Sequence, residues 1–305
     1  MKRILVIGGT GNLGRQVISQ LLAMNIRVRA LARNPDSANL PSSVEIGRGD
    51  LTIPHTLDLS LVDVDAVFLI WCAPVAAAAP ALARIAKHVK RVVFLSSPHR
   101  TAHPFFQQLG WRPGQPMANP AAALHVEIER LIVASGLQWT FLRPGMFAGN
   151  ARFWWAAMIR AGGIVRWPYP QALTAPIHER DIAVVAARML TEEGHDGEDH
   201  VLTGPQSLTQ LEQVSILAEV AGRVLRFEEI SPEDARSELL TVMPPPVINM
   251  LLNAWAASIG QPAFVTSAVA DITGAPARTF RDWVIDHSAE HFFSKKPSRQ
   301  DFSAR

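Results

Sequence analysis

Ile4-Leu5-Val6-Ile7 is an apolar run too short for a buried helix. It stops at Gly8-Gly9-Thr10-Gly11-Asn12-Leu13-Gly14, after which apolar residues recur at helical spacing. Gly8, Gly11 and Gly14 thus stand at G-x-x-G-x-x-G spacing between a strand and a helix. A tight turn needs the first glycine, close approach of a pyrophosphate needs the second, and close packing of helix on strand needs the third. The turn leads into a helix N-terminus, where free N–H groups and the helix dipole favour an anion. Few folds meet all of these demands. The pattern predicts a parallel β-α-β unit with a nucleotide phosphate seated over Gly8, Thr10, Gly11, Asn12, Leu13 and Gly14, a glycine turn without ligand being the alternative.

The rest of the first half continues that pattern. Arg3–Ile7, Arg27–Leu31, Val44–Gly47, Ala66–Trp71, Arg91–Leu95 and Gln138–Leu142 read as short strands, apolar on both faces. Asn12–Met24, Pro80–His88 and Pro120–Ser135 read as the helices between them. Alternation at this pitch predicts an α/β fold, a Rossmann-type doubly wound parallel sheet covered on both faces. After Arg143 the texture becomes turn-rich and proline-interrupted. Asp181–Leu190 reads as a helix capped by an acid, Leu208–Val220, Asp234–Leu240 and Pro244–Ser258 as further helices, and Val224–Ile230 as a strand. The expected organisation is a nucleotide-binding domain over 1–150, a small α/β lobe over 151–290 partly interleaved with it, and a basic tail over 291–305.

Composition removes several classes. The chain has 305 residues, 48% hydrophobic and 18% charged, which excludes a disordered protein and needs no covalent staples. One cysteine, Cys72, excludes an internal disulfide and a multi-cysteine metal site, and suits a reducing, cytoplasmic compartment. The formal charge is only +2, and Lys295, Lys296, Arg299 and Arg305 concentrate positive charge in the tail. No broad basic face for nucleic acid is expected. Ala66–Ala83 carries no charge, but Pro74 and Pro80 interrupt it and its first half reads as a buried strand, so no membrane span is expected. Met1-Lys2-Arg3 before the first apolar run imitates a leader, but the run is shorter than one requires. His99/His103 and His287/His291 have i, i+4 spacing without a third ligand, so no metal is expected.

The end of the second strand refines the cofactor. An acid there would accept from a ribose 2′-hydroxyl, but the sequence is Arg29-Ala30-Leu31-Ala32-Arg33-Asn34. Arg33 can pair with a 2′-phosphate, which favours NADP(H) with NAD(H) as the alternative, whereas Arg29 reads as a solvated residue. Asp50, before Leu51, could accept from an adenine amino group or cap its own turn. Trp71, Cys72 and Ala73 end the fourth strand, where the chain borders a cofactor in such sheets. Nothing near Cys72 in sequence lowers its pKa, so no nucleophilic role is expected. Ser96 and Ser97 end the fifth strand, at the sheet edge where ligands bind; Ser96 could hold a carbonyl or a water, or cap the strand.

Together the Gly-Gly-Thr-Gly-x-x-Gly start, Gly49-Asp50-Leu51, Val92-Val93-Phe94-Leu95-Ser96-Ser97, His125-x-x-x-Glu129, Leu142-Arg143-Pro144 and His178-Glu179-Arg180-Asp181 resemble the atypical short-chain dehydrogenases of the NmrA-like group. The segment around Ile272-Thr273-Gly274 and Arg278-Thr279-Phe280 resembles a branch related to ergot-alkaloid iminium reductases. The resemblance covers about residues 2–285. It implies NAD(P)H-dependent reduction of a hydrophobic or aromatic acceptor, such as an iminium or a quinone, by a monomer or homodimer. It also implies that His125 stands where isoflavone-reductase-like relatives carry a lysine and quinone- and dye-reductase relatives a histidine, touching the cofactor or substrate or donating a proton; a structural histidine is the alternative. Pro144, Met146 and Phe147 would line the nicotinamide side. Typical short-chain dehydrogenases use Tyr-x-x-x-Lys, but the single tyrosine, Tyr169, has no such lysine. An already electrophilic acceptor needs little acid catalysis, which agrees with that loss. Phe147, Trp154, Trp155, Trp167 and Tyr169 would suit a flat aromatic substrate, with lobe packing as the alternative for most of them. A second function fits the missing pair equally, an NADP(H)-sensing regulatory protein without turnover.

Overall fold

The computed structural model describes residues 2–99, 101, 103–108, 120–241 and 243–292. The basic tail lies outside them from residue 293 onward. Six strands occupy the first half: β1 (Arg3–Ile7), β2 (Arg27–Ala32), β3 (Glu45–Arg48), β4 (Ala66–Leu69), β5 (Arg91–Leu95) and β6 (Gln138–Pro144). The helices among them are α1 (Asn12–Ala23), α2 (Asp58–Leu61), α3 (Ala78–His88), α4 (Pro104–Gln108) and α5 (Pro120–Ala134). Then come α6 (Asn150–Gly162), β7 (Ile164–Trp167), β8 (Leu173–Thr174), α7 (Glu179–Thr191), β9 (Glu198–Leu202), β10 (Leu208–Thr209) and α8 (Gln210–Ala221). The chain closes with β11 (Arg226–Glu229), α9 (Pro232–Leu239), α10 (Pro245–Ala257), α11 (Ala268–Thr273) and α12 (Phe280–His291).

Seven strands form one sheet in the order β3-β2-β1-β4-β5-β6-β9, every neighbouring pair parallel. Alternate residues of the strands feed opposite cores, as the two-residue period of a strand requires. Ile4 and Val6 of β1 pack with Val17, Ile18 and Leu21 of α1 and Ile182 and Val185 of α7. Leu5 and Ile7 pack with Leu82 and Ile85 of α3 and Ile128 and Ile132 of α5. The chain runs from β1 outward to β3 and then crosses to β4 on the other side. This reversal opens a crevice at the carboxyl ends of β1 and β4, the place where such sheets bind ligands.

The seventh strand is absent from the sequence reading. Glu198-Asp199-His200-Val201-Leu202 is charged at its start because β9 is the sheet edge, where charge is tolerated and discourages further pairing. Helix α7 also differs from expectation. It starts at Glu179, and the cap is His178, whose Nδ1 accepts from Arg180 N at 3.1 Å. Asp181 is instead buried and accepts from Arg278 N at 2.7 Å and from the Arg278 guanidinium. In the same way Leu208–Val220 divides: β10 pairs with β8, and α8 starts at Gln210 under a Thr209–Glu212 capping box. Beyond residue 150 the chain returns to the sheet as α7 and β9, and Val269 of α11 packs into the same core as α1 and α7. Most of the remainder forms a third core around Trp155, Trp255, Leu217, Leu252 and Trp283. Among the described residues no helix is long and apolar enough to cross a membrane.

Candidate active site

The glycine turn has the geometry its spacing implies. Gly8 sits at φ +84°, in the left-handed region, and its carbonyl accepts from Gly11 N at 3.1 Å. A Cβ on Gly14 would overlap Gly8 O and stand 2.7 Å from Gly9 Cα, so only glycine lets α1 close on the turn. A Cβ on Gly11 would meet nothing but Gly8 O, at 3.4 Å, and would fill the space in front of the turn. Gly11 caps α1 without a side-chain hydrogen bond, which leaves the first N–H groups of the helix without a side-chain acceptor. These features fit a pyrophosphate. Arg15, which the sequence reading passed over, braces the turn: its guanidinium donates to Thr10 O, Asn39 O and Ala38 O at 2.6–2.9 Å.

Beside the turn lies a cleft of about 360 Å³, large enough for an adenosine phosphate. Gly8, Thr10, Arg33, Asp50, Leu51, Cys72 and Ala73 all line it, joined by Asn34 and Ser37, which sequence reasoning missed. The two arginines of β2 and its end part company. Arg29 is committed to Glu45 at 2.8–3.0 Å and to Ser60 O and Val62 O. Arg33 is exposed at the cleft and makes no ion pair among the described residues. Asp50 caps its own turn: Oδ1 accepts from Thr52 N at 2.8 Å and Thr52 Oγ1 at 2.7 Å, and these bonds hold its pKa below the usual carboxylate range. Trp71 turns away from the cleft. Its ring is buried in the core, and Nε1 donates to Ala73 O at 2.5 Å.

At the other end, the tips of β5 and β6 carry a buried polar cluster. Glu129 and His125 are four residues apart on α5 and so share one helix face. Glu129 is 2% exposed and receives Arg143 bidentately, Nε to Oε1 at 3.0 Å and Nη2 to Oε2 at 2.9 Å. Ser96 Oγ donates to Glu129 Oε1 at 2.6 Å, and His99 Nε2 lies 3.4 Å from Oε2. Burial alone would raise the Glu129 pKa, but the nearby His99 ring and the hydrogen bonds from Arg143 and Ser96 prevail and bring it to about 2. His125 moves to about 4, first through burial and then through the neighbouring His99, against the opposing pull of Glu129. At neutral pH it is therefore an uncharged imidazole. His125 Nδ1 and Ser97 Oγ are buried with no hydrogen-bond partner among the described residues. Orphaned polar atoms of this kind at a sheet edge fit the amide and hydroxyl groups of a nicotinamide riboside. Glu129 entered the sequence reading only as the end of His125-x-x-x-Glu129, and His99 only as half of a histidine pair without a third ligand, so neither was assigned to this cluster.

The segment after β6 is clamped. Gly145 N donates to Leu202 O at 2.8 Å, Ile177 N to Met146 O at 2.8 Å, and Ala148 N to Ile177 O at 2.9 Å. Met146 borders a narrow apolar space of about 10 Å³ with Phe106 and Phe264. Phe147 borders a second cavity, of about 150 Å³, shared with Asn12 and Leu13 of the turn, Phe153, Glu179 and Trp283. Glu179 accepts from Gly149 N at 2.9 Å, and burial pushes its pKa up.

The tryptophans expected at a substrate are elsewhere. Trp154, Trp155 and Trp167 pack around Trp255 with ring centroids 5.3–6.4 Å apart, and Trp155 has no exposed surface. Trp167 Nε1 is satisfied by Gln210 Oε1 at 2.7 Å. Tyr169 packs against the same core at φ +55°. None of the four lines any of these cavities, because closing the lobe core claims the rings. Phe147, Phe153 and Trp283 are the aromatic residues that do face the Phe147 cavity.

Comparison with known proteins agrees with a nucleotide-binding fold. A family model described as NAD(P)H-binding matches residues 8–193. The chain is 36% identical over 292 residues to a (4-alkanoyl-5-oxo-2,5-dihydrofuran-3-yl)methyl phosphate reductase from Streptomyces griseus, covering 93% of this chain and 98% of that one. It is 31% identical over 294 residues to an NAD(P)H azoreductase from Xenophilus azovorans, covering 94% and 98%. An NADPH-dependent quinone oxidoreductase from Escherichia coli shares the fold, with a TM-score of 0.76, 22% identity and coverage of 94% and 99%. The chain belongs to the NAD(P)H-binding family, has an NmrA-like oxidoreductase among its relatives, and is an NAD(P)H-dependent reductase.

Proposed function

We propose that this reductase prefers NADPH and passes hydride to a hydrophobic, aromatic or conjugated acceptor that is already electrophilic, such as a quinone, an azo compound or an iminium. The observation that carries the cofactor preference is the contrast between the committed Arg29 and the uncommitted Arg33 at the cleft, with no acid ending β2. Bound NADPH would supply the hydride. Thr10, Gly11, Asn12, Leu13 and Gly14 would hold its pyrophosphate, Arg33 with Asn34 and Ser37 its 2′-phosphate, and Asp50, Leu51, Cys72 and Ala73 its adenosine.

Ser96, His125 and the Pro144-Met146-Phe147 segment would border the nicotinamide half. His125, uncharged at neutral pH, would contribute a hydrogen bond rather than a proton. With Tyr169 packed on the lobe core and no Tyr-x-x-x-Lys pair, the protein would act by position and by excluding water. The acceptor would enter beside Met146 and Phe147, which border the two cavities, with the lobe over 151–290 forming that side. The lone, exposed Cys72 is in keeping with a reducing, cytoplasmic setting and a monomer or homodimer without disulfides.

The test follows reduced-nicotinamide absorbance with NADPH or NADH against 1,4-naphthoquinone, an azo dye and a cyclic iminium. Arg33→Ala should lower kcat/KM for NADPH by about 10- to 100-fold and leave NADH nearly unchanged, since a charge-assisted bond to the 2′-phosphate is lost. Equal losses with both cofactors would sink the assignment of Arg33. Tight NADPH binding with no acceptor consumed would favour a sensing role.

A further inference from the structure

We infer that Glu129 is a positioning residue for the active site, acting through Ser96. The inference rests on the reading that the nicotinamide half of the cofactor lies over the tips of β5 and β6. Ser96 has one hydroxyl proton, and it is spent on Glu129 Oε1 at 2.6 Å. Glu129 cannot rotate away from that bond. Its two oxygens are gripped by the Arg143 fork at 2.9 and 3.0 Å, and Arg143 Nη1 is itself tied to Asp199 Oδ1 at 2.7 Å on the edge strand β9. The Ser96 backbone is equally fixed, with its N–H donating to Leu142 O at 2.7 Å.

The consequence is chemical. A free serine can donate or accept, but a serine whose proton is held by a buried carboxylate can only accept from anything else. Ser96 is thereby an obligate acceptor, suited to an amide N–H or a ribose O–H of the nicotinamide riboside and unable to give a proton to the substrate. Glu129 itself is buried, 2% exposed, and is not placed to contact a ligand directly. Its work is to set the direction of one O–H bond, and a carboxylate does this where an amide would not, because an amide presents N–H to either Ser96 or Arg143.

The experiment compares binding of two probes, NADPH and adenosine 2′,5′-bisphosphate, which lacks the nicotinamide riboside and the phosphate attached to it, by titration calorimetry. The proteins are wild type, Ser96→Ala, Ser96→Thr, Glu129→Gln and the Ser96→Ala/Glu129→Gln double variant. Wild type should bind NADPH at least about tenfold more tightly than the bisphosphate, and Ser96→Ala and Glu129→Gln should each lose about tenfold in NADPH affinity. Bisphosphate affinity should change less than about twofold, which also reports that the variants are folded. Ser96→Thr should keep the preference, and the double variant should be no weaker than Glu129→Gln, because one bond is being removed twice.

Equal weakening of both probes, a preference retained in Glu129→Gln, or losses that multiply would overturn the inference. Should Glu129→Gln fail to fold, Ser96→Ala decides, since it leaves the Glu129–Arg143 pair intact. A wild-type protein that binds both probes equally would instead sink the placement of the nicotinamide half, and the inference with it.

Discussion

Gly14→Ala is expected to abolish measurable NADPH binding and to destabilise the fold by about 1–3 kcal/mol. The added methyl would overlap Gly8 O and crowd Gly9 Cα at 2.7 Å and Gly8 C at 2.8 Å, all of them backbone atoms that cannot rotate aside. Relief requires α1 to back away from β1, against the packing of Val17, Ile18 and Leu21 on the sheet. The N–H groups at the start of α1 then leave the position a pyrophosphate needs, and a misplacement of about 1 Å at such a site costs on the order of a hundredfold. Gly11→Ala makes the contrast. Gly11 has φ −77°, which alanine adopts freely, and its added methyl meets only Gly8 O at 3.4 Å. That variant should unfold at the wild-type temperature yet bind NADPH poorly, because the methyl occupies the place of the phosphate. Thermal melts beside calorimetric titration separate the two effects. A Gly14→Ala protein with wild-type melting and binding would contradict the close packing of turn and helix.

Arg143→Met should cost about 3–5 kcal/mol at neutral pH, the penalty for leaving a buried carboxylate without its cation. Methionine fills much of the arginine stem but offers Glu129 nothing in return, and only Ser96 and His99 remain beside it. The sign of the pH dependence follows from Glu129. Its folded pKa of about 2 lies below the ordinary 4.5, so its contribution to stability is complete above about pH 4.5 and is lost as pH falls toward 2. That difference corresponds to about 3 kcal/mol in the wild type. In Arg143→Met the carboxyl protonates more readily, which removes the buried charge. The deficit of the variant should therefore be largest at neutral pH and shrink in acid. Urea unfolding of both proteins across that range measures it, and a deficit that does not vary with pH would rule out the charge pair as its origin.

How much of this was legible in the chain depends on how far apart the interacting residues lie. The glycine turn, α1 and the strands β1, β4 and β5 are local objects, specified by steric demands within a few residues, and they were readable nearly to the residue. The commitment of Arg29 was not. It depends on Glu45, which is brought alongside only when β2 and β3 pair in register. The aromatic residues of the lobe show the same limit: hydrophobicity marks Trp154, Trp155 and Trp167 as buried or binding, and only the closure of α6 and β7 around Trp255 assigns them to packing.

By itself, then, the sequence determined a dinucleotide fold and the end of the sheet at which its ligand must lie, because glycine spacing and strand periodicity act over short stretches of chain. The tertiary structure alone decided which polar groups are free to act there. Ser96 and His99 come from the loop after β5, Glu129 from α5 and Arg143 from β6, and a hydroxyl becomes an acceptor only once a distant carboxylate holds its proton in a hydrogen bond.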